Sequence, residues 1–248
     1  MQNFEKVDNI RKNISSVIVG KDEVIKLILT SVLAGGHILL EDVPGTGKTV
    51  IAKSLAGSIA GEFSRVQFTP DLLPSDVTGI NFYNQKAGEF TLRRGPVFGN
   101  IVLADEINRA TPRTQSSLLE CMEEHQVTID GVTYRLDEPF VVIATQNPIE
   151  TAGTFPLPEA QLDRFLMKLS MGLPDKDEEV KIMERFMGEV PGAGSAKRVA
   201  AVCSAKDIVD MQQEAAKVYV HKAILEYIAS IVQATRKNPE IKMGISPR

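Results

Sequence analysis

The sequence predicts an α/β fold, a parallel sheet held between helices in three layers, and three observations predict it. The apolar run Ile38-Leu39-Leu40 leads through a loop of small residues into an amphipathic helical pattern. Two more apolar runs, Ile101-Val102-Leu103-Ala104 and Phe140-Val141-Val142-Ile143-Ala144, end in polar residues. Short continuous apolar runs alternating with helical periodicity are what strands covered on both faces require.

Taken in chain order, residues 37–41 (HILLE) read as the first buried strand, and Val50, Ile51, Leu55 and Ile59 share one face of a helix beginning near Lys48. Phe82 to Leu92, around Lys86-Ala87-Gly88, alternates as a hairpin does. The second strand is Ile101 to Asp105-Glu106. Val127 to Tyr134 forms two period-2 runs around Asp130-Gly131, a pair suited to the positive φ of a tight hairpin turn. Phe140 to Thr145 is the third strand, and Met167 to Met171 a short one. Beyond it the pattern is purely helical, so a boundary falls at Leu173-Pro174 and divides the chain into an α/β unit, 1–172, and a helical unit, 173–248. In the latter, Val180, Met183 and Met187 mark one face. Residues 188–195, rich in glycine and proline, form a loop, and Ser204 with Asp207 starts another helix. Ile224, Ile228, Ile231 and Val232 make an apolar stripe expected to be core of this unit rather than a ligand site.

The chemistry starts at Pro44-Gly45-Thr46-Gly47-Lys48-Thr49. Small residues let the backbone bend so that several N–H groups point inward at the positive end of the following helix, which suits phosphate oxygens. Lys48 then reaches the β/γ-phosphates, and Thr49 supplies a hydroxyl where Mg²⁺ takes an oxygen ligand. The pattern G-x-x-x-x-G-K-[ST] is broken at its first position, which holds Asp42. A GK[ST] tripeptide also ends ordinary loops; the strand before this one and the helix after it set it apart. Asp105, closing the second strand, is placed to hold Mg²⁺, and Glu106 to orient or deprotonate the attacking water. Asn147, after the third strand, can donate to the γ-phosphate or to that water. Ligands of parallel sheets collect at the carboxyl ends of strands, so these three ends describe one crevice.

Several stretches together give the chain a close resemblance to the MoxR-type ATPases of the AAA+ superfamily. They are Val19-Gly20-Lys21, Glu41 to Thr49, Gln67 to Asp76, Ala104 to Ala110, Ala144 to Pro148, Leu157 to Phe165 and Gly244 to Arg248. The resemblance implies a three-layer P-loop core with hairpin insertions and a small all-α lid that is cut short here. It implies ATP or ADP and Mg²⁺ as cofactors, with Pro44, Gly45, Thr46, Gly47, Lys48, Thr49, Val50 and Asp105 at the nucleotide. Val19 and Gly20 match the segment lining the adenine pocket, and Asn147 matches sensor 1. Arg164 matches an arginine finger acting on a neighbouring subunit's nucleotide, with Arg109 and Arg113 ranked behind it. Arg248 matches the sensor 2 arginine, and with the lid cut short the resemblance implies weak turnover. The two hairpins resemble insertions that in such rings face the pore or substrate. Also implied are a homo-oligomeric ring, a hexamer, and chaperone-like work on a protein substrate such as one with a von Willebrand A domain.

Composition narrows the remaining classes. With Lys+Arg 28 against Asp+Glu 32, the net charge of −4 argues against a strongly nucleic-acid-binding surface, Arg93-Arg94 aside. The hairpins are expected to lack an aromatic platform for single strands. Two cysteines, Cys121 and Cys203, suggest no disulfide framework, and the three histidines have no metal-ligand spacing. The amino terminus lacks a signal peptide's apolar core and no run reaches the length of a membrane span, so the sequence reads as cytoplasmic. Two other functions stay open: a nucleic-acid motor or loader, and a nucleotide-gated switch without turnover.

Overall fold

The computed structural model describes residues 2–41, 45–86, 88–148, 153–187, 199–241 and 244–246. In chain order the elements are α1 (Gln2–Ser15), α2 (Asp22–Leu33), β1 (His37–Glu41), α3 (Lys48–Ser58), β2 (Phe63–Gln67), α4 (Pro74–Thr78), β3 (Gly79–Asn84), β4 (Glu89–Arg94) and β5 (Ile101–Asp105). There follow α5 (Pro112–Glu124), β6 (Gln126–Ile129), β7 (Val132–Arg135), β8 (Val141–Gln146), α6 (Glu159–Leu162), β9 (Phe165–Leu169), α7 (Lys176–Phe186), α8 (Ala205–Ala215) and α9 (Lys222–Lys237).

Five strands form one parallel sheet in the order β2-β5-β8-β1-β9. Alternation along each strand sends successive side chains to opposite faces. Ile38, Leu40, Ile101, Leu103, Val141 and Ile143 pack with α1, α2, α3 and α8, whereas Leu39, Val102, Ala104, Val142 and Ala144 pack on the other face with Phe68, Leu118 and Leu119. Both sets are almost fully buried. These are the three layers the sequence predicts.

His37, buried at the start of β1, fastens the sheet to α5. Its Nδ1 accepts from the Val142 amide at 3.0 Å and its Nε2 donates to the Met122 carbonyl at 3.0 Å. Burial pulls its pKa down from 6.5 to about 4, so the ring is neutral.

Helix α8 opens with the expected capping box between Ser204 and Asp207. It packs on α2, where Ile208 and Met211 join the core under the sheet and Gln212 Nε2 donates to the Val32 carbonyl at 2.7 Å. Lys6 Nζ, on α1, lies 2.6 Å from Asp207 Oδ1 and holds that carboxyl far below the usual range.

Several expectations are corrected. β9 starts at Phe165, two residues before the expected Met167, because Phe165 takes its place beside His37 in the ladder with β1. β2 was not foreseen: it is an edge strand, so of FSRVQ only Val66 is buried, and it carries no apolar run. The stripe on α9 is not core among the described residues. Ile224, Leu225, Tyr227, Ile228 and Ile231 are exposed and only Val232 is buried, since no described element lies over that face. Val180 and Met183 are exposed likewise, and Met187 stands past the end of α7. The loop expected at 188–195 lies outside the described residues.

Both hairpins form, β6–β7 turning at Asp130 (φ 50°) and Gly131 (φ 81°) as the Asp-Gly signal requires. The β3–β4 hairpin overturns the expectation about aromatics. Phe82, Tyr83 and Phe90 are exposed, with Tyr83 and Phe90 paired edge-to-face at 5.4 Å between centroids.

Candidate functional site

Parallel β1, β8, β5 and β2 lie side by side, so their carboxyl ends open onto one space. There the chain leaving β1 meets α3. Gly45 (φ 88°) and Gly47 (φ 91°) adopt the left-handed backbone that a side chain would strain, and Gly47, as N-cap, brings no side chain over the helix start. A cavity of about 410 Å³ forms there, lined by Gly45, Gly47, Lys48 and Thr49 on one side and by Arg65, Gln67, Asp105, Glu106 and Asn147 on the other.

The two acids are tied down in different ways. Asp105 Oδ1 accepts from Thr145 Oγ1 at 2.7 Å, and Oδ2 lies 2.6 Å from Arg65 Nη2. The Glu106 amide donates to the same Thr145 hydroxyl at 2.8 Å. Glu106 sits at φ 56°, ψ 49°, a left-handed conformation that non-glycine residues adopt at an energetic cost, so the turn after β5 is over-determined by its surroundings. Its Oε2 accepts from Gln67 Nε2 at 2.8 Å and from Arg109 Nη1 at 3.1 Å. At the end of β1, Lys168 (2.7 Å) and Gln146 (2.6 Å) bind Glu41 and hold its carboxyl below the usual range.

The oxygen donors suit magnesium with a polyphosphate better than a protein-caged metal. Among the described residues no group of three or more His, Cys, Asp or Glu could hold a metal ion, while Thr49 and Asp105 line one cavity with Lys48. Magnesium takes one or two protein oxygens and completes its shell with phosphate and water.

Of the residues named from the sequence, the structure brings Gly45, Gly47, Lys48, Thr49, Asp105, Glu106 and Asn147 together. Thr46 and Val50 belong to the same loop and helix start but are not among the lining residues. Neither are Val19 and Gly20; Gly20 (φ 69°) lies against the Glu178 carboxylate of α7, and Lys21 Nζ lies 3.4 Å from the Leu173 carbonyl. Pro44 and Arg248 lie outside the described residues, as does Asp42.

Arg164 stands elsewhere. It immediately precedes Phe165, the partner of His37, so it occupies the amino-terminal edge of the sheet, opposite the glycine loop. Its Nε and Nη2 reach Glu123 Oε2 at 2.9 and 2.8 Å, and it borders a second cavity, of about 540 Å³, with His37, Glu123 and His125. The cysteines take no part: burial pushes Cys121 up to about 12 and Cys203 up to about 11, and both are free thiols.

Sequence reasoning missed Arg65 as a site residue, and met Gln67 and Thr145 only inside resembling stretches. Arg65 and Gln67 sit two apart on β2, on one side of the strand, and Gln67 is in register with Asp105. That spacing was readable once β2 was recognised as a strand.

A parallel sheet with a glycine loop after one strand, a lysine opening the next helix and acids closing a neighbouring strand defines the P-loop class of nucleotide-binding folds. Within that class the family is settled by comparison. The model of the ATPase family associated with various cellular activities (AAA) matches residues 37–167, and the chain belongs to that family. It is a MoxR-type AAA+ ATPase, as its relatives agree. It is 52% identical over 237 residues to the uncharacterized protein YeaC of Bacillus subtilis, covering 96% of this chain and 73% of that one. It is 45% identical to Chaperone MoxR1 of Mycobacterium tuberculosis, covering 95% of this chain and 63% of the relative. A crystal structure of a Cytophaga hutchinsonii protein assigned as an ATPase superposes with a TM-score of 0.86 at 44% identity, covering 95% of this chain and 70% of the other. Among the described residues no helix is long and apolar enough to cross a membrane.

Proposed function

We propose that this chain binds Mg-ATP in the cavity at the carboxyl end of the sheet and hydrolyses it. The observation that carries the reading is the convergence of Lys48, Thr49, Asp105, Glu106 and Asn147 on one space, although they come from three separate stretches of sequence. Lys48 and the loop amides bind the phosphates. Thr49 and Asp105 hold the metal, which when bound neutralises charge on the phosphate oxygens. Glu106 takes the proton of the attacking water and Asn147 orients it. Arg164, at the opposite edge of the sheet, reaches a neighbouring subunit's nucleotide in a ring, for which the hexamer of MoxR-type proteins is the expected form.

Residues 1–172 then act as the nucleotide core and 173–248 as part of a helical lid, in which α8 stays packed on that core and nucleotide-driven motion falls to the rest of the segment. The work is chaperone-like remodelling of a protein partner, a von Willebrand A domain protein being the family's suggestion. The relative named a chaperone supports this. One observation favours a second reading, a nucleic-acid motor: the exposed rings of Phe82, Tyr83 and Phe90 share a hairpin with Arg93 and Arg94.

Glu106→Gln tests the central reading. It should retain ATP and lose hydrolysis by at least about 100-fold, the scale of a general base. Unchanged turnover defeats Glu106 as base, and absence of turnover in the wild type leaves the nucleotide-gated switch. Stimulation by DNA that falls steeply with salt would favour the motor.

A further inference from the structure

We propose that Arg65 is a resident cation of the phosphate cavity that competes with the nucleotide's metal for the Asp105 carboxylate. The inference rests on the Mg-nucleotide reading of that cavity. Asp105 is the more buried partner, 14% exposed against 46% for Arg65, so the guanidinium reaches inward from β2 to a mostly buried acid. Thr145 occupies Oδ1 and the guanidinium occupies Oδ2 at 2.6 Å. Among the described residues, the charged groups lining the cavity are two acids, Asp105 and Glu106, and two cations, Lys48 and Arg65, with Arg109 paired to Glu106 from outside the lining.

That balance has two opposite effects. A divalent cation arriving without nucleotide meets an acid already neutralised, so it binds weakly. Metal-free ATP, by contrast, meets an acid whose repulsion is screened, so it binds better than it otherwise would. A partly exposed ion pair is weak enough for a divalent ion carrying its phosphates to displace it. The same Nη2 donates to Gln67 Oε1 at 2.9 Å, and Gln67 Nε2 holds Glu106, so departure of the guanidinium also unties one end of that amide.

The test compares wild type, Arg65→Ala and Arg65→Lys. Mn²⁺ binding without nucleotide is followed by electron paramagnetic resonance, and ATP binding by calorimetry in Mg²⁺ and in EDTA. Arg65→Ala should bind Mn²⁺ roughly two- to fivefold more tightly than wild type, with Arg65→Lys, which keeps the charge, within about twofold of wild type. ATP affinity of Arg65→Ala should fall in EDTA more than in Mg²⁺. Equal Mn²⁺ affinity in all three proteins overturns the proposal. So does an equal loss of ATP affinity with and without metal, which would make Arg65 a phosphate ligand. If wild type binds no ATP under either condition, the nucleotide reading falls and this inference with it; if it binds ATP while Mn²⁺ affinity ignores residue 65, only the inference falls.

Discussion

Lowering the pH should destabilise this protein through one buried ring, and His37→Gln should remove that effect. His37 is 5% exposed, and burial brings its pKa from 6.5 to about 4. In the unfolded chain the ring takes a proton near pH 6.5; in the folded chain it resists until about pH 4. Its contribution is therefore fully present above 6.5 and is lost as pH falls through the window from 6.5 to 4. Linkage over that window makes the loss about 2 kcal/mol at pH 5 and about 3 kcal/mol at pH 4. With a urea m-value of about 3 kcal/mol/M, the wild-type midpoint should drop by about 0.7 M between pH 7.5 and pH 5 from this group alone. Gln at 37 can still donate to the Met122 carbonyl but does not titrate. It should start less stable and lose less on acidification, so the two midpoints should converge as pH falls. Parallel loss in both proteins, followed by circular dichroism, would refute the assignment of a neutral buried imidazole bridging Val142 and Met122.

Lys48→Ala should weaken ATP binding by at least about tenfold while leaving the melting temperature nearly unchanged, because Lys48 faces the cavity and not the core; equal affinity by calorimetry counts against its role. Arg164→Ala should keep ATP binding and lose about 10³-fold or more in turnover, with partial recovery on mixing with Glu106→Gln protein; failure of mixed samples to recover at any concentration removes the argument for action on a neighbour. Phe68→Ala, which empties a fully buried position beneath β5, should cost about 3–5 kcal/mol in urea unfolding, and a loss below about 1 kcal/mol would contradict the packing described.

The sequence revealed those parts of the fold whose local chemistry suffices to specify them. Ile38 to Leu40 and Ile101 to Ala104 are apolar because both faces are covered, and Asp130-Gly131 is a turn by backbone preference alone. β2 escaped notice because an edge strand with one neighbour need not be apolar, and Arg65 escaped with it. The Arg65–Asp105 contact joins residues 40 positions apart and exists only through strand pairing, which no periodicity encodes. The α9 stripe misled for the opposite reason: an apolar face announces that something covers it without saying what, and among the described residues nothing does.

The clasp of α8 against α2 and α1 limits which part of the helical segment can swing. With Ile208 and Met211 sunk beneath the sheet and Asp207 bolted to Lys6, a stroke that tore α8 loose would expose core with every cycle. If the lid movement proposed above takes place, its pivot lies beyond Ala215, in the solvent-facing connection through Val218 and Tyr219, and α8 stays with the core.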